Sequence, residues 1–393
     1  MKKILAMLLA LVMVMGLVAC GNDAPETTAP AETNAPAEST PETTAPVESG
    51  VEYKIAMITD YGDITDQSFN QTTYEAVQAF AEANGVAYSY YKPSGDSTAE
   101  RVAMVDAAVV DGYNVIVLPG FAFGETLVEV ADIYPEIKFV ALDVAEGEGG
   151  FTATENVFSA VYQEELSGYM AGVAAVKLGY KHLGYLGGMA VPAVQRFGYG
   201  FLQGVDAAAK ELGIVGDIKI EYVYGNQFYG DADITAVMDT WYGEKGVECV
   251  FACGGGIWTS AAEAAAKVGG KVIGVDVDQS GTIDGMFGAG MTVTSAMKGL
   301  APTVNDVLTA IVLEDNWAAY AGQIATLGLV SADPEANYVQ LPMATTQFAE
   351  GFTAEDYTAL VAAMYDGTIT VSNDIANFPV TEVAVEQHPN IKG

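Results

Sequence analysis

Acidic and aromatic side chains recur directly after short apolar segments of the sequence. Asp60, Asp143 and Asp276 each follow an apolar run with the length of a buried strand. A carboxylate can accept hydrogen bonds from two neighbouring hydroxyl groups, and a lysine nearby would supply a donor. Phe69 and Phe228 lie in similarly polar surroundings, and a phenylalanine ring can stack on an aromatic base for about 1–3 kcal/mol. The pattern predicts binding of a small polar ligand, although each phenylalanine taken alone could equally belong to the core.

The elements that must position these side chains form an alternating pattern. Strands are predicted over Lys54–Thr59, Ala87–Tyr91, Asn114–Pro119 and Lys138–Leu142, and in a second set over His182–Gly187, Ile218–Tyr224, Glu248–Cys253 and Lys271–Val275. Helices are predicted near residues 69–84, 99–111, 124–133, 194–212, 233–245 and 259–268. Strict alternation of apolar strands and helices gives βαβ units, so we expect an α/β protein with two parallel sheets. A helix over about 162–178 is predicted to join the two lobes.

Parallel sheets of this kind bind ligands in the loops that follow the carboxyl ends of their strands. Asp60, Asp143 and Asp276 occupy such positions, and so does the glycine run 254–256. Asp66 comes just before a predicted helix start, where an aspartate commonly accepts hydrogen bonds from free backbone N–H groups. We therefore predict a ligand site at the strand ends and a capping role for Asp66.

The cysteines and histidines are few. Cys249 and Cys253 fall in one predicted strand, where residues four apart are separated by about 13 Å, so we predict buried thiols rather than a disulfide. The sequence contains two histidines, His182 and His388, so a tetrahedral zinc site would have to be built largely from carboxylates. We expect neither a metal nor another cofactor.

The first fifty residues predict export and anchoring. Lys2 and Lys3 precede an apolar run that ends at Leu-Val-Ala-Cys20, which is typical of a signal peptide over residues 1–19. This ending resembles the bacterial lipobox, whose cysteine carries the acyl chains that hold the protein to the membrane. Residues 20–50 are rich in Pro, Thr, Ala and Glu and are predicted to be a disordered tether. An ordinary secretory peptide with an incidental cysteine is the alternative.

Composition bounds the remaining 51–393 segment. Its length fits two domains, and 51% of the whole chain is hydrophobic, which is ample for a core. The chain carries 51 acidic and 16 basic residues, for a formal net charge of −35. A binder of nucleic acid or of an anionic membrane surface needs concentrated Lys and Arg, so both classes of partner are disfavoured. Contact with the membrane is expected through the lipid anchor alone.

Several motifs follow one another in the order found in one known family. They are Thr59-Asp60, Asp66-Gln-Ser-Phe-Asn-Gln71, the run 162–175, Gly187-Gly-Met189, Phe197-Gly-Tyr-Gly-Phe201, Gly274-Val-Asp-Val-Asp-Gln279 and Thr294-Ser-Ala-Met-Lys298. Two of these together, the Asp-x-Ser-Phe-Asn-Gln and Gly-Val-Asp-x-Asp-Gln elements, are much harder to obtain by chance than a lone glycine-rich loop. The chain resembles the basic membrane protein family of ABC-transporter lipoproteins, the PnrA-like nucleoside binders.

The resemblance implies a type I periplasmic-binding-protein fold with two Rossmann-like lobes joined by a hinge. Lobe 1 would comprise residues 51–160 with a return segment at about 279–322, and lobe 2 residues 161–278 with a segment at about 323–393. The family's ligand-binding positions correspond to Asp60, Phe69, Asn70, Asp143, Phe197, Phe228, Gly255, Asp276 and Lys298. Phe69 and Phe228 would stack on opposite faces of the base, and the polar residues would bind base and ribose.

The function expected from the resemblance is capture of a nucleoside, with preference for a purine, for uptake through an ABC permease and its ATPase. The protein would act as a monomer on the extracytoplasmic face of the cell membrane and would not be an enzyme. Three alternatives remain open at this point. The same fold could bind a sugar or another small polar ligand, or serve as a stand-alone surface receptor. A nucleoside hydrolase is less favoured, because it would need a dense aspartate cluster holding a metal and a water.

Overall fold

The computed structural model describes residues 50–60 and 62–393. The predicted signal peptide, Cys20 and almost all of the predicted tether lie outside the described residues. The described residues form one compact unit. In the part of the chain that is described, no helix combines the length and the apolar character needed to cross a bilayer.

Strands and helices alternate along most of this unit. The strands are β1 (Lys54–Ile58), β2 (Ala87–Tyr91), β3 (Val115–Pro119), β4 (Lys138–Leu142), β5 (Val157–Tyr162), β6 (His182–Gly187), β7 (Lys219–Tyr224), β8 (Cys249–Cys253), β9 (Lys271–Asp276), β10 (Thr292–Lys298), β11 (Gln323–Leu327), β12 (Val339–Gln340) and β13 (Ala384–Gln387). The α-helices are α1 (Phe69–Asn84), α2 (Thr98–Val110), α3 (Phe123–Val130), α4 (Glu164–Lys177), α5 (Pro192–Leu212), α6 (Ala232–Asp239), α7 (Trp258–Val268), α8 (Ser280–Phe287), α9 (Leu300–Val312) and α10 (Ala354–Tyr365).

The strands form two sheets. The first sheet has the order β11-β5-β4-β3-β1-β2, and the second has the order β12-β10-β9-β8-β6-β7-β13. The pairings between the strands are parallel except that of β10 with β12. Central strands such as β3 and β8 are buried over their whole length, as expected where helices cover both faces of a parallel sheet. The predicted α/β architecture with two parallel sheets is confirmed.

Helix α4 carries the chain from one lobe to the other. It starts two residues after β5 of the first sheet and packs against α5, which follows β6 of the second sheet. Glycines permit this contact: a Cβ atom on Gly168 would lie 2.2 Å from the Phe197 carbonyl oxygen, and one on Gly200 would lie 2.1 Å from that of Glu165. The two helix backbones therefore touch directly, and the bridge that the sequence predicts near 162–178 lies at 164–177.

The chain crosses between the lobes later than the sequence suggests. The return segment was expected at about 279–322, but β10 (292–298) still pairs with β9 in the second sheet. The return to the first lobe is made by α9, which packs on α1, and by β11, which pairs with β5. A sequence pattern cannot locate such a crossing, because an apolar strand looks the same in either sheet. β12 and β13 then return to the two edges of the second sheet.

Cys249 and Cys253 lie in β8 and are both free and buried, as the sequence predicts. Burial raises the pKa of each thiol well above its usual value. A thiol held in this protonated state is a poor nucleophile and metal ligand, which fits a packing role in the core.

Candidate ligand-binding site

The carboxyl ends of the two sheets face each other across a cavity, which we call the inner cavity. It is lined by Asp60, Gly62, Phe69, Asn70, Gly120, Phe121, Asp143, Val191, Ala193, Val194, Phe197, Phe228, Cys253, Gly254, Gly255, Val275, Asp276 and Lys298. All nine ligand-binding positions expected from the sequence are among these residues. Whether each contacts a ligand stays a prediction, but the structure brings the full set to one place.

The inner cavity adjoins a wider space, which we call the outer cleft. The two share Gly62, Asn70, Phe121 and Phe228. The inner cavity measures about 70 Å³ and the outer cleft about 1270 Å³. Pockets for small organic ligands usually measure about 300–1,000 Å³. The inner cavity as it stands is therefore smaller than the usual pocket for such a ligand, whereas the outer cleft is larger.

Asp143 and Asp276 lie at the carboxyl ends of two equivalent strands: Asp143 directly follows β4, and Asp276 is the last residue of β9. Both adopt left-handed backbone conformations, with φ of 63° and 67°. This region is costly for residues other than glycine, although aspartate tolerates it better than most. Strained residues of this kind cluster at functional sites, where the conformation aims a side chain. Here the turn directs both carboxylates toward Lys298 on β10.

Lys298 is surrounded by carboxylates. Its ammonium group pairs with Asp143 and lies 3.5 Å from Glu164 Oε1 and 3.7 Å from Asp276 Oδ1. Burial alone would lower the pKa of Lys298, but the three carboxylates reverse this and hold that pKa above its usual value. Burial raises the pKa of Asp143 and of Asp276, and Lys298 partly offsets both shifts. The cluster keeps one buried positive charge among several acceptors.

Glu164 is the third carboxylate of this cluster, and it was not predicted from the sequence. Its side chain is fully buried, and Arg196 Nε donates to its Oε2 over 2.6 Å. A glutamate at the start of a helix resembles an ordinary first-turn residue, so nothing in the sequence marks Glu164 as a member of the ion cluster. Arg196 directly precedes Phe197, so one turn of α5 provides both a cavity wall and a counterion.

Direct contacts join the lobes beside the cavity. Ser68 Oγ donates to Asp276 Oδ2 over 2.6 Å. Gln67, whose φ is 56°, accepts from Gln279 Nε2 on its carbonyl oxygen and from Thr282 Oγ1 on its side chain, each over 3.0 Å. The turn before α1 therefore binds the second lobe directly. Ser68 and Gln67 were not predicted from the sequence, because their partners lie more than 200 residues away along the chain.

Asp60 and Asn70 are placed by the loop after β1. Asp66 accepts from the backbone N–H groups of Ser68, Asn70 and Gln71 over 2.9–3.1 Å, which confirms its predicted capping role. It also accepts from Asn70 Nδ2 over 3.2 Å, and Asn70 lines the inner cavity. Asp60 Oδ1 accepts from the Gly62 N–H over 2.9 Å. The loop thus fixes a carboxylate and an amide next to each other.

Phe228 rests on glycines. A Cβ atom on Gly188 would lie 2.4 Å from Phe228 Cδ1, and one on Gly254 would lie 3.0 Å from the same atom. The two glycines leave the space in which the ring lies flat against the ends of β6 and β8. Lys298 Nζ lies 4.6 Å from the centre of the Phe69 ring and 5.7 Å from that of Phe197, so these rings flank the ion cluster.

Two buried oxygen atoms of the cavity have no hydrogen-bond partner within the described chain: Asn70 Oδ1 and Asp143 Oδ1. A buried acceptor left unpaired costs about 1–3 kcal/mol, so most buried acceptors in proteins are paired. Hydroxyl or amino groups of a ligand can satisfy these atoms, whereas a phosphate or carboxylate would oppose them. Both atoms are therefore suited to accept from donor groups of a neutral ligand.

A separate group of potential metal ligands lies far from the cavity on the second lobe. Glu221, Glu386 and His388 could together approach one ion. However, the ammonium group of Lys245 already lies 2.6 Å from Glu221 and 3.2 Å from Glu386, and His182 lies 3.2 Å from Glu221. This group is accounted for as an ion-pair cluster that joins β13 to β7.

Comparison with known proteins relates this architecture to solute capture. A family model described as "ABC transporter substrate-binding protein PnrA-like" matches residues 53–332. The ABC transporter nucleoside-binding protein BmpA of Lactococcus lactis is 30% identical over 241 residues, which are 58% of this chain and 65% of that protein. Basic membrane protein B of Borreliella afzelii is 28% identical over 299 residues, which are 72% of this chain and 80% of that protein.

Solved structures support the same fold. A solute-binding protein of an ABC transporter system from Aeropyrum pernix superimposes with a TM-score of 0.63 at 24% identity, covering 82% of this chain and 88% of that one. One from Conexibacter woesei gives a TM-score of 0.60 at 21% identity, covering 82% and 99%. These likenesses confirm the expected periplasmic-binding-protein fold.

Proposed function

The chain belongs to the PnrA-like family of ABC transporter substrate-binding proteins, and we propose that it captures a nucleoside, with preference for a purine, between its two lobes. The observation that carries this proposal is the composition of the inner cavity. Aromatic rings line it together with buried carboxylates and two acceptor oxygens that have no partner among the described residues. A nucleoside offers a flat base to the rings and donor groups to the oxygens.

In this proposal the base lies against Phe228, and Phe69 covers its other face. Asp60 and Asn70 bind the base edge or the hydroxyl group beside it. Asp143 and Asp276 accept from the ribose hydroxyls, and Lys298 donates to the ribose while balancing the carboxylate charge. The backbone at Gly255, where φ is 51°, can approach the ligand because no side chain intervenes.

Closure around the ligand follows from where these residues lie. Asp60, Phe69, Asn70 and Asp143 belong to the first lobe, whereas Phe197, Phe228, Gly255, Asp276 and Lys298 belong to the second. Only a closed arrangement offers both sets of contacts, so the ligand shifts the population toward it. The permease and ATPase of an ABC importer would then accept the closed, loaded protein.

Anchoring completes the proposal. Lipid attached to Cys20 would hold the protein on the extracytoplasmic face of the cell membrane, and the segment 20–50 would let the body move between the membrane and its permease. Labelled palmitate should be incorporated into the wild-type protein and not into Cys20→Ala, whose ligand affinity should be unchanged. Equal labelling of the two proteins, or no labelling of wild type, would refute the anchor.

The experiment that tests ligand capture is calorimetric titration of the purified protein with adenosine, guanosine, inosine, uridine and ribose. We expect tight binding of the purine nucleosides and much weaker binding of ribose, since ribose cannot use the aromatic faces. Analysis of the mixtures after prolonged incubation should recover intact nucleoside, because the proposal is capture without catalysis. Ribose binding as tight as that of every nucleoside would instead favour a sugar binder, and free base among the products would indicate a hydrolase.

A further inference from the structure

The segment 384–393, which we call the strap, lies beyond the 53–332 region that the family model matches. Its strand β13 pairs in parallel with β7 at the edge of the second sheet. Beyond β13, the N–H of His388 donates to the Tyr222 carbonyl over 2.8 Å and that of Ile391 donates to the Tyr224 carbonyl over 2.9 Å. The strap therefore follows β7 to its carboxyl end, where the loop that carries Phe228 begins.

Two side chains fix the end of the strap. Ile391 packs, partly buried, against the apolar cluster that includes Val223 and Ile234. The ammonium group of Lys392 lies 2.8 Å from Asp231 Oδ2 and also pairs with Asp233. Lys392 also lines the outer cleft. The strap thus ends on the same side of the lobe as the ligand-binding loops.

Asp231 links the strap to the segment 225–231, which we call the Phe228 loop. Its Oδ2 accepts from Gln227 Nε2 over 3.1 Å, and its Oδ1 accepts from the N–H groups of Asp233 and Ile234 over 3.1 and 3.0 Å. Burial tends to raise the pKa of Asp231, but Lys392 and these hydrogen bonds outweigh it and lower that pKa. One carboxylate therefore joins Lys392, the start of α6 and the residue next to Phe228.

The Phe228 loop needs support on this side. Asn226 has a left-handed backbone with φ of 61°, a conformation that is uncommon outside glycine. On its inner side, the loop is held by the hydrogen bond from the Gly256 N–H to the Phe228 carbonyl, over 2.8 Å. On its outer side, Gln227 donates to the Tyr229 carbonyl and to Asp231, which is where Lys392 binds. Fixing both sides restricts where the Phe228 ring can lie.

We propose that the strap positions the Phe228 loop for ligand binding, with Lys392 acting as a positioning residue that does not itself touch the ligand. A loop ordered before binding does not have to be ordered by the ligand, so affinity rises without any new contact. The link to affinity rests on the proposed function, because it requires Phe228 to stack on a bound base. The ordering of the loop does not depend on it.

The test compares Lys392→Met and the double variant Ile391→Ala/Lys392→Met with wild type. Hydrogen–deuterium exchange of peptides covering 225–231 reports loop order, and titration with inosine reports affinity. We expect faster exchange in the loop and an inosine Kd raised about two- to fivefold for Lys392→Met, the range for a partly exposed ion pair, with a larger rise for the double variant. Lys392→Arg should restore both properties.

The matched control is Lys267→Met, which removes a more exposed lysine paired with Asp239 over 2.8 Å on the same lobe. It should change neither readout. Unchanged exchange in both strap variants, or faster exchange with an unchanged Kd, would overturn the proposal. If wild type bound no nucleoside, the nucleoside proposal would fail, and the exchange data would still decide whether the strap orders the loop. Lys392→Met keeps the test valid even if the double variant does not fold.

Discussion

Asp143 in the first lobe and Asp276 in the second lobe lie at the carboxyl ends of equivalent strands. Both have the same left-handed conformation and face the same lysine. Their surroundings nevertheless differ. Asp276 receives a hydrogen bond from Ser68 of the opposite lobe, whereas Asp143 keeps one buried oxygen without a partner in the described chain. Both carboxylates therefore link the lobes, Asp276 through Ser68 and Asp143 through Lys298, and Asp143 in addition keeps the acceptor that we propose for a ligand.

The difference teaches how a repeated lobe yields an asymmetric site. The fold supplies two strand ends of the same geometry, and the neighbours of each end decide its role. Among the described residues, Lys298 is the one basic residue that lines the inner cavity, so both aspartates depend on it for charge balance.

The largest effect should come from Lys298→Met. The change removes the cation that Asp143 and Asp276 share, while Glu164 keeps its ion pair with Arg196. Breaking a buried ion pair in this way typically costs about 3–5 kcal/mol. We expect a fall of that order in the free energy of unfolding, measured by chemical denaturation, together with loss of nucleoside binding. Lys267→Met is the control and should leave both unchanged. A variant with wild-type stability would refute the account of the ion cluster.

The interlobe helix offers a second comparison, between paired Glu164 and its neighbour Glu165. Glu165 is buried, one of its oxygens has no partner in the part of the chain that is described, and burial raises its pKa from the usual 4.5 to about 7. The folded protein then holds the proton more firmly than the unfolded chain. The stability from this group is therefore complete below about pH 4.5 and is lost as the pH rises through about 7.

Glu165→Gln should remove this dependence. At pH 8 we expect the free energy of unfolding of the variant to exceed that of wild type by about 1–3 kcal/mol. The difference should vanish near pH 4.5. Denaturant titrations across this pH range provide the measurement. Glu244→Gln, at an exposed position, should follow wild type at each pH. A Glu165→Gln variant that was equally or less stable at pH 8 would show that Glu165 is ionised without penalty.

The difference between the two aspartates can be tested on affinity. Asp143→Asn removes the charge of the carboxylate whose Oδ1 has no partner in the described chain. Hydrogen bonds to charged groups contribute about 1.5–3 kcal/mol. We expect inosine affinity to fall about 10- to 100-fold by calorimetry. Ser68→Ala, which removes a partner of Asp276 but no proposed ligand contact, should cost less than about fivefold. Equal losses for the two variants would erase the proposed division of roles.

The smallest effect should come from Thr282→Val, which removes the hydroxyl that donates to Gln67 across the lobes. A neutral hydrogen bond contributes about 0.5–1.5 kcal/mol, so we expect nucleoside to dissociate about two- to tenfold faster by stopped-flow measurement. The control is Thr358→Val, whose hydroxyl donates only to the carbonyl of its own helix at Ala354. An unchanged dissociation rate for Thr282→Val would mean that this contact does not stabilise closure.

Much of the fold was predictable because its signals are local. Continuous apolar runs between helical patterns located the central strands, and Asp66 was recognisable as a cap from its position before α1. β5 and β10–β13 were not predicted, and the lobe crossings after α4 were misplaced, because the pairing of these strands is set by tertiary contacts rather than by their own sequence.

The site shows the same division. The family resemblance predicted nine ligand-binding positions, and each of them lines the inner cavity. Glu164 and Ser68 could not be found this way, since their importance lies in partners that are distant in sequence. The support that Lys392 gives to the Phe228 loop is hidden for the same reason.

The central claim is that one ligand uses an aromatic face and the ribose-binding carboxylates of this cavity at once. The most direct test measures the dissociation constants of inosine and of ribose for wild type and for Phe228→Ala. The account predicts that wild type prefers inosine strongly and that Phe228→Ala loses about 5- to 150-fold in inosine affinity, as expected for one stacked base, while ribose binding changes little. Equal losses for inosine and ribose, or no loss for either, would contradict it.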